Sequence, residues 1–244
     1  MLGLPDAVRA CLFDLDGVLT DTASVHKAAW KASFDPLLAS RGQPPFTEQD
    51  YDDYVDGKPR LDGVRDFLHS RGIDLPEGAD GDGPDAASVH GVAETKNRDV
   101  LRRIHDDGVA VFEGSRRYLE AARDAGLRRI VVSSSANTGD VLKVTGLADL
   151  VEGRVDGITL AQQHIPGKPA PDSFLAGAAL VGVPPEQAVV FEDATAGVEA
   201  GHRGRFGYVV GVNRLDTRHA AALRQHGASV VVADLAELME ERAT

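Results

Sequence analysis

Asp14 and Asp16 stand two residues apart at the end of the apolar run Ala10 to Leu15, directly before Gly17. That run reads as a buried strand, and residues two apart on a strand point to one face. Gly17 then lets the chain turn sharply. Two carboxylates would converge at the carboxyl end of a strand, where open α/β sheets place their ligands. Alone, such a pair is also what a hydrophilic turn after a strand looks like. A second acidic pair, Glu192 and Asp193, closes the apolar run Val189 to Phe191 just before a helical stretch. Acidic residues are at home there in any case, because a helix N-terminus favours negative charge. In one parallel sheet both strand ends lie on the same rim, and up to four carboxylates share it. That cluster is unfavourable unless it is protonated or neutralised by a cation. The donors are all oxygens, with no cysteine or histidine close in sequence, so Mg²⁺ is the fitting ion.

Two more segments carry chemistry. In Val131 to Asn137 (VVSSSAN) a strand runs into Ser133, Ser134 and Ser135 and then a helix start. Hydroxyls and free backbone N–H groups at a helix N-terminus bind anions, although a serine-rich capped turn has the same composition. In Gly167 to Asp172 (GKPAPD) one lysine precedes a proline and a helix. Pro169 restrains the backbone. A Lys168 aimed into the acidic rim would orient Asp14 and neutralise phosphate charge; the commoner fate of a loop lysine is solvation.

These residues need elements to hold them. The chain has 244 residues, 43% apolar and 26% charged, with a formal net charge of −12. That apolar content is ordinary for a folded protein and argues against disorder. The negative field disfavours nucleic acid and anionic lipid as partners. The single cysteine, Cys11, sits in the first apolar run and reads as a core residue;. With neither a leader-like N-terminus nor a segment of membrane-spanning length, a cytoplasmic location is expected.

From Val109 onward, short β-branched runs (Val131-Val132, Val189 to Phe191, Tyr208 to Val212, Val230 to Val232) alternate with helical stretches. These are 115–125, 138–145, 172–181, 194–203 and 217–225. The alternation indicates α/β architecture: a Rossmann-like parallel sheet core with helices on both faces. Roughly ninety mostly helical residues separate the first strand from the rest, too long for a loop inside one core. An inserted small α-helical cap domain over 22–108 is therefore expected, with the core built from 1–21 and 109–244. Within the insert, helices are expected over 22–38 and 88–105. Glu77 to Asp85, rich in Gly and Asp, reads as a flexible solvated connector.

The joint pattern DxDGVLTDT, SSSAN, GKPAPD and FEDATAGVEAG resembles the haloacid dehalogenase superfamily of aspartate-nucleophile phosphotransferases, over nearly the whole chain. The resemblance implies that Asp14 attacks phosphorus and that Asp16 is the general acid and base. Ser133 and Lys168 would hold the transferring phosphoryl group. Asp14, the backbone oxygen of Asp16, and Asp193 would bind Mg²⁺, with Glu192 at or near the ion.

The insert's position resembles the helical cap of the β-phosphoglucomutase-like subfamily. His26 and Trp30, one helical turn apart, match positions that face the sugar and the acid in that subfamily. The segment Val55 to Arg60, with Gly57 and Lys58, resembles its phosphate-binding stretch, and an Arg60 fork suits bidentate phosphate recognition. Lys96-Asn97 resembles a second substrate-contacting pair. Lys58, Arg60, Ser135 and Asn137 could build the second phosphate site, and Ser134 is a further candidate for binding substrate or phosphate.

Two departures, Ala136 and Asp56, stand where relatives carry basic residues, and Lys58 is expected to compensate. What this implies is a mutase interconverting β-glucose 1-phosphate and glucose 6-phosphate, working as a monomer on a small phosphorylated sugar. A sugar-phosphate phosphatase of the same superfamily, acting on a hexose phosphate or trehalose 6-phosphate, is the alternative. A non-catalytic phosphate-binding protein is a third reading.

Overall fold

The computed structural model describes residues 2–239. Its chain divides into two compact units. One comprises the residues up to Asp21 together with those from Val109 onward, and the other is Thr22–Gly108.

Strand β1 (Ala10–Phe13) is wholly buried, as expected of a central strand in a parallel sheet covered on both faces. It ends one residue before Asp14, so the acidic pair rides on a turn instead of on one strand face. The turn has its own bonding. Gly17 N–H donates to Thr20 O (2.8 Å), and the N–H groups of Leu19 and Thr20 both donate to Leu15 O. Gly17 sits at φ +84°, a region glycine enters without a Cβ penalty.

In the helical unit, α1 (Ala23–Ala39), α2 (Glu48–Asp50), α3 (Arg60–Ser70) and α4 (Val89–Asp106) follow in order. Its core is a cluster of rings, with Trp30 stacked on Phe34 and Phe34 packed against both Phe46 and Phe67. A capping box between Thr47 and Asp50 starts α2, satisfying donors a short helix would otherwise leave open. One π-helical turn, Tyr51–Val55, then leads towards α3. The segment Glu77 to Asp85, expected as a flexible connector, is tied down. Asp82 accepts from Ser88 Oγ (2.5 Å), Ser88 caps α4 at Gly91 N (3.0 Å), and Glu77 pairs with Arg65. Its carboxylates found donors, which composition alone does not reveal.

The remaining elements are α5 (Glu113–Asp124), β2 (Arg128–Val132), α6 (Thr138–Val144), β3 (Gly153–Val155), α7 (Gly157–Gln163) and α8 (Asp172–Leu180). After them come β4 (Ala188–Glu192), α9 (Thr195–Arg203), β5 (Tyr208–Val212), α10 (Thr217–Gln225) and β6 (Val230–Val232). All six strands are parallel, in the order β3-β2-β1-β4-β5-β6. Side chains alternate between the faces. Leu12, Val132 and Val190 join a cluster with Phe174 of α8, Val198 of α9 and Leu223 of α10. Phe13 and Phe191 stack at 4.5 Å on the opposite face, and Tyr118 of α5 meets both rings. Burying each such side chain contributes about 1.5–3 kcal/mol, and together they fix the register of β1 against β4. That register sets Phe13 beside Phe191, so Asp14 and Glu192 leave the sheet side by side. Asp14 N–H still donates to Phe191 O (2.9 Å) beyond the end of β1. Among the described residues, no helix is long and apolar enough to cross a membrane.

Candidate active site

Lys168 is the centre of the rim. Its ammonium donates to Asp14 Oδ1 and to Glu192 Oε1, each at 2.5 Å, and to Val132 O at 3.3 Å. These contacts use all three ammonium donors. The loop that carries it has a cis Lys168–Pro169 peptide, and the ammonium lies 4.9 Å from the Phe174 ring centroid. Lys168 is 4% exposed, Asp14 7% and Glu192 1%. A buried charge with one partner is costly, whereas one hydrogen-bonded on every side is tolerated.

The charges do not balance. Burial pushes the Asp14 carboxyl well above the ordinary carboxylate range; Lys168 opposes that, while Glu192 and Asp16 add to it. The Lys168 ammonium is held protonated: burial works against its charge, and the two carboxylates overcome the burial. One cation thus faces an excess of negative charge, which is the setting a divalent cation would offset.

Glu192 had been expected at the metal. Instead its Oε1 is taken by Lys168 and its Oε2 accepts from Ala194 N–H (2.8 Å). The helix N-terminus and the lysine each engage one oxygen, so Glu192 holds Lys168 beside Asp14. The four-carboxylate cluster is not gathered either: among the described residues, no group of three or more His, Cys, Asp or Glu side chains is placed to hold a metal.

Asp193 does approach the first turn. A Cβ added to Gly17 would lie 1.8 Å from Asp193 Oδ2. At φ +84° any other residue at position 17 would be strained and would displace the Asp193 carboxylate that fills the space above the glycine. Asp14, Asp193 and the backbone oxygen of Asp16 are all oxygen donors, the chemistry magnesium takes when water and phosphate complete its shell, although the side chains do not gather as a three-carboxylate cluster. The residues fit the ion.

Ser133 sits just past β2, 2% exposed. Its hydroxyl makes a long 3.5 Å contact with Asp16 Oδ2 and accepts from Ser135 N–H at 3.1 Å. Asn137 N–H donates to Ser135 Oγ (3.2 Å), and Ser135 O accepts from Gly157 N–H (3.0 Å). Ser134 lies between them, where a Cβ on Gly157 would meet its carbonyl at 2.6 Å. The serine loop is thus a wound turn pressed against the start of α7, a support invisible in the motif.

In the helical unit, three expected residues come together. Lys96, 5% exposed, donates to His26 Nδ1 at 2.7 Å and lies 4.9 Å from the Trp30 ring centroid, within cation–π range. Asn97 follows Lys96 on α4. Arg60 opens α3 with a buried Nε that has no hydrogen-bond partner. Burial pushes its guanidinium down from the usual value, against the pull of Glu94. Gly57 turns the chain at φ +67°. Lys58, expected to serve a phosphate, pairs with Asp66 at 2.6 Å, a carboxylate two turns on that lies within its reach.

Two residues outside every motif touch the site's loops. Arg214 bonds the carbonyls of Gly17 and Val18, and His219 bonds the carbonyl of Asp193. No sequence signal marks them, since each acts on a backbone atom far away in the chain.

Comparison with known proteins agrees with this geometry. The haloacid dehalogenase-like hydrolase family matches residues 8–204. Proteins of Mycobacterium bovis and Mycobacterium tuberculosis, each named beta-phosphoglucomutase, are 58% identical over 247 aligned positions, spanning 98% of this chain and 94% of theirs. The solved structure of a beta-phosphoglucomutase from Clostridium difficile superposes with a TM-score of 0.76 at 24% identity, covering 95% of this chain and 93% of that one. At that identity the superposition speaks to the fold, and the family match and the close relatives speak to descent. The chain belongs to the haloacid dehalogenase-like hydrolase family.

Proposed function

We propose that this chain is a magnesium-dependent phosphomutase interconverting β-glucose 1-phosphate and glucose 6-phosphate through an aspartyl-phosphate and a sugar bisphosphate. One observation carries the reading: the buried Asp14 carboxylate is gripped through one oxygen by a lysine that Glu192 also holds. The name borne by the relatives at 58% identity supports the substrate.

In this reading Lys168 fixes Asp14 by Oδ1 and leaves the other oxygen to attack phosphorus. A carboxylate needs no base for that attack. Lys168 and Ser133 hold the phosphoryl oxygens as they move. Asp16 gives a proton to the departing sugar oxygen, then takes one from the hydroxyl that accepts the phosphoryl group on return. Asp14, the backbone oxygen of Asp16, and Asp193 would hold magnesium, which supplies charge neutralisation for the phosphate. A bisphosphate also needs a second anion site. Arg60, with its unpartnered buried Nε, has the donor chemistry for it. Lys96 and His26 have the chemistry for sugar hydroxyls, while Lys58 is already neutralised by Asp66. The partner is a small phosphorylated sugar, handled by a cytoplasmic monomer.

The test is product analysis with Mg²⁺, β-glucose 1-phosphate and a trace of the 1,6-bisphosphate. Glucose 6-phosphate without free phosphate is the expected result. Stoichiometric release of phosphate would replace the reading with a sugar-phosphate phosphatase of the same family.

A further inference from the structure

The segment after β5 grips both loops of the site from outside. Arg214 donates its Nε–H to Gly17 O at 2.8 Å and an Nη2–H to Val18 O at 3.3 Å. Its guanidinium lies over the Phe112 ring, 3.6 Å from the centroid. Behind, Ala233 O accepts from Nη1 at 2.7 Å, with Asp234 Oδ2 at 3.4 Å. Five residues further on, His219 donates its Nε2–H to Asp193 O at 2.7 Å. The start of α10 holds that histidine in place, because Asp216 Oδ1 accepts from His219 N–H at 2.8 Å. The two loops so held are those that close on each other where Gly17 meets Asp193. The whole segment lies beyond residue 204, where the family match ends.

We infer that Arg214 and His219 are positioning residues that preassemble the oxygen donors of Asp16 and Asp193. A glycine at positive φ is the least restrained residue in the turn, and its own peptide follows directly on Asp16. The turn's own bond from Gly17 N–H to Thr20 O and the Ser115 hydroxyl on Val18 O leave the Gly17 carbonyl to Arg214, which braces the peptide next to the Asp16 carbonyl. The planar guanidinium fork fixes two acceptors at once, which an ammonium cannot do. With Phe112 on one face and Asp234 behind, the fork cannot swing. His219 does the same for the other loop by holding the peptide carbonyl of Asp193 itself. Each contact is to a backbone carbonyl, so neither residue is used up by substrate, and both act through the groups they orient. Partners of this kind set ligand geometry, and losing one typically lowers metal affinity or activity about 10–100-fold.

The inference rests on the magnesium role proposed for the Asp16 backbone oxygen and Asp193, and the experiment separates the two. Wild type, Arg214→Met, His219→Leu and His219→Gln are compared by calorimetric Mg²⁺ titration without substrate, by kcat and KM, and by Tm. Arg214→Met and His219→Leu should each weaken Mg²⁺ binding and lower kcat about tenfold or more, with KM for the sugar phosphate within about threefold of wild type. Glutamine can still donate to the Asp193 carbonyl, so His219→Gln should recover most of the loss. Folded Arg214→Met and His219→Leu proteins with wild-type Mg²⁺ affinity and kcat would overturn the inference, whatever their Tm. So would a loss in His219→Leu that His219→Gln leaves uncorrected. If the wild type itself binds no Mg²⁺, the functional reading falls and the inference with it.

Discussion

Asp14→Asn is expected to fold as the wild type does and to lose turnover by a factor on the order of 10⁴ or more, as removal of a reacting group does. Asparagine keeps the size and shape of the side chain, and its amide oxygen can still accept from Lys168. What disappears is the anionic oxygen that attacks phosphorus. The fold should not suffer, because the wild-type rim already carries more negative charge than Lys168 balances: burial, Glu192 and Asp16 all push the Asp14 carboxyl upward. In the variant, Lys168 faces Glu192 alone, a one-to-one pair. The metal-free variant should therefore melt no lower than the wild type. Turnover above about one hundredth of wild type in a correctly folded protein would remove Asp14 from the mechanism.

Lys168→Met carries the opposite expectation, with losses of both stability and activity. Methionine fills nearly the same volume but takes the only ammonium away from two carboxylates at 7% and 1% exposure. Breaking a buried pair by deleting one partner costs about 3–5 kcal/mol, since the remaining charge is left without compensation. For a chain of this size that is a fall in Tm of roughly 10 °C. The rate should drop by about 10³-fold or more, because Asp14 is no longer oriented and the phosphoryl charge is no longer met. Acidification should restore part of the lost stability, as protonating one carboxylate removes the repulsion between Asp14 and Glu192. A variant that matched wild type in Tm at neutral pH would show that the 2.5 Å contacts contribute nothing to the fold.

How much of this could be read from the sequence depended on how local each feature is. Asp14, Asp16, Lys168 and Asp193 were legible because each sits at the end of an apolar run or beside a proline, within a few residues of what orients it. The four longer central strands were legible for the same reason: a strand buried on both faces is a continuous apolar stretch. β3 was not, because Gly153–Val155 is three residues long with Arg154 at its centre, and α7 behind it is barely two turns. The end of β1 was misplaced by two residues, since the bonds that close the turn onto Leu15 O depend on Gly17 and not on hydrophobicity. Chain order does not tell which neighbour the Glu192 carboxylate meets; the register of β1 against β4 brings it to Lys168. The pairing of Lys58 with Asp66 and the hold of Arg214 on Gly17 span turns or whole domains of sequence, and nothing in their own neighbourhoods announces them.

The central claim is that the phosphoryl group passes through Asp14. The most direct measurement is an acid quench of wild-type protein shortly after mixing with Mg²⁺ and hexose bisphosphate carrying radiolabelled phosphorus, followed by peptide mapping. The account predicts label on the peptide containing Asp14, stable in acid and released by hydroxylamine as an acyl phosphate is. Label on a serine or histidine peptide, or turnover with no label on the protein at all, would contradict it.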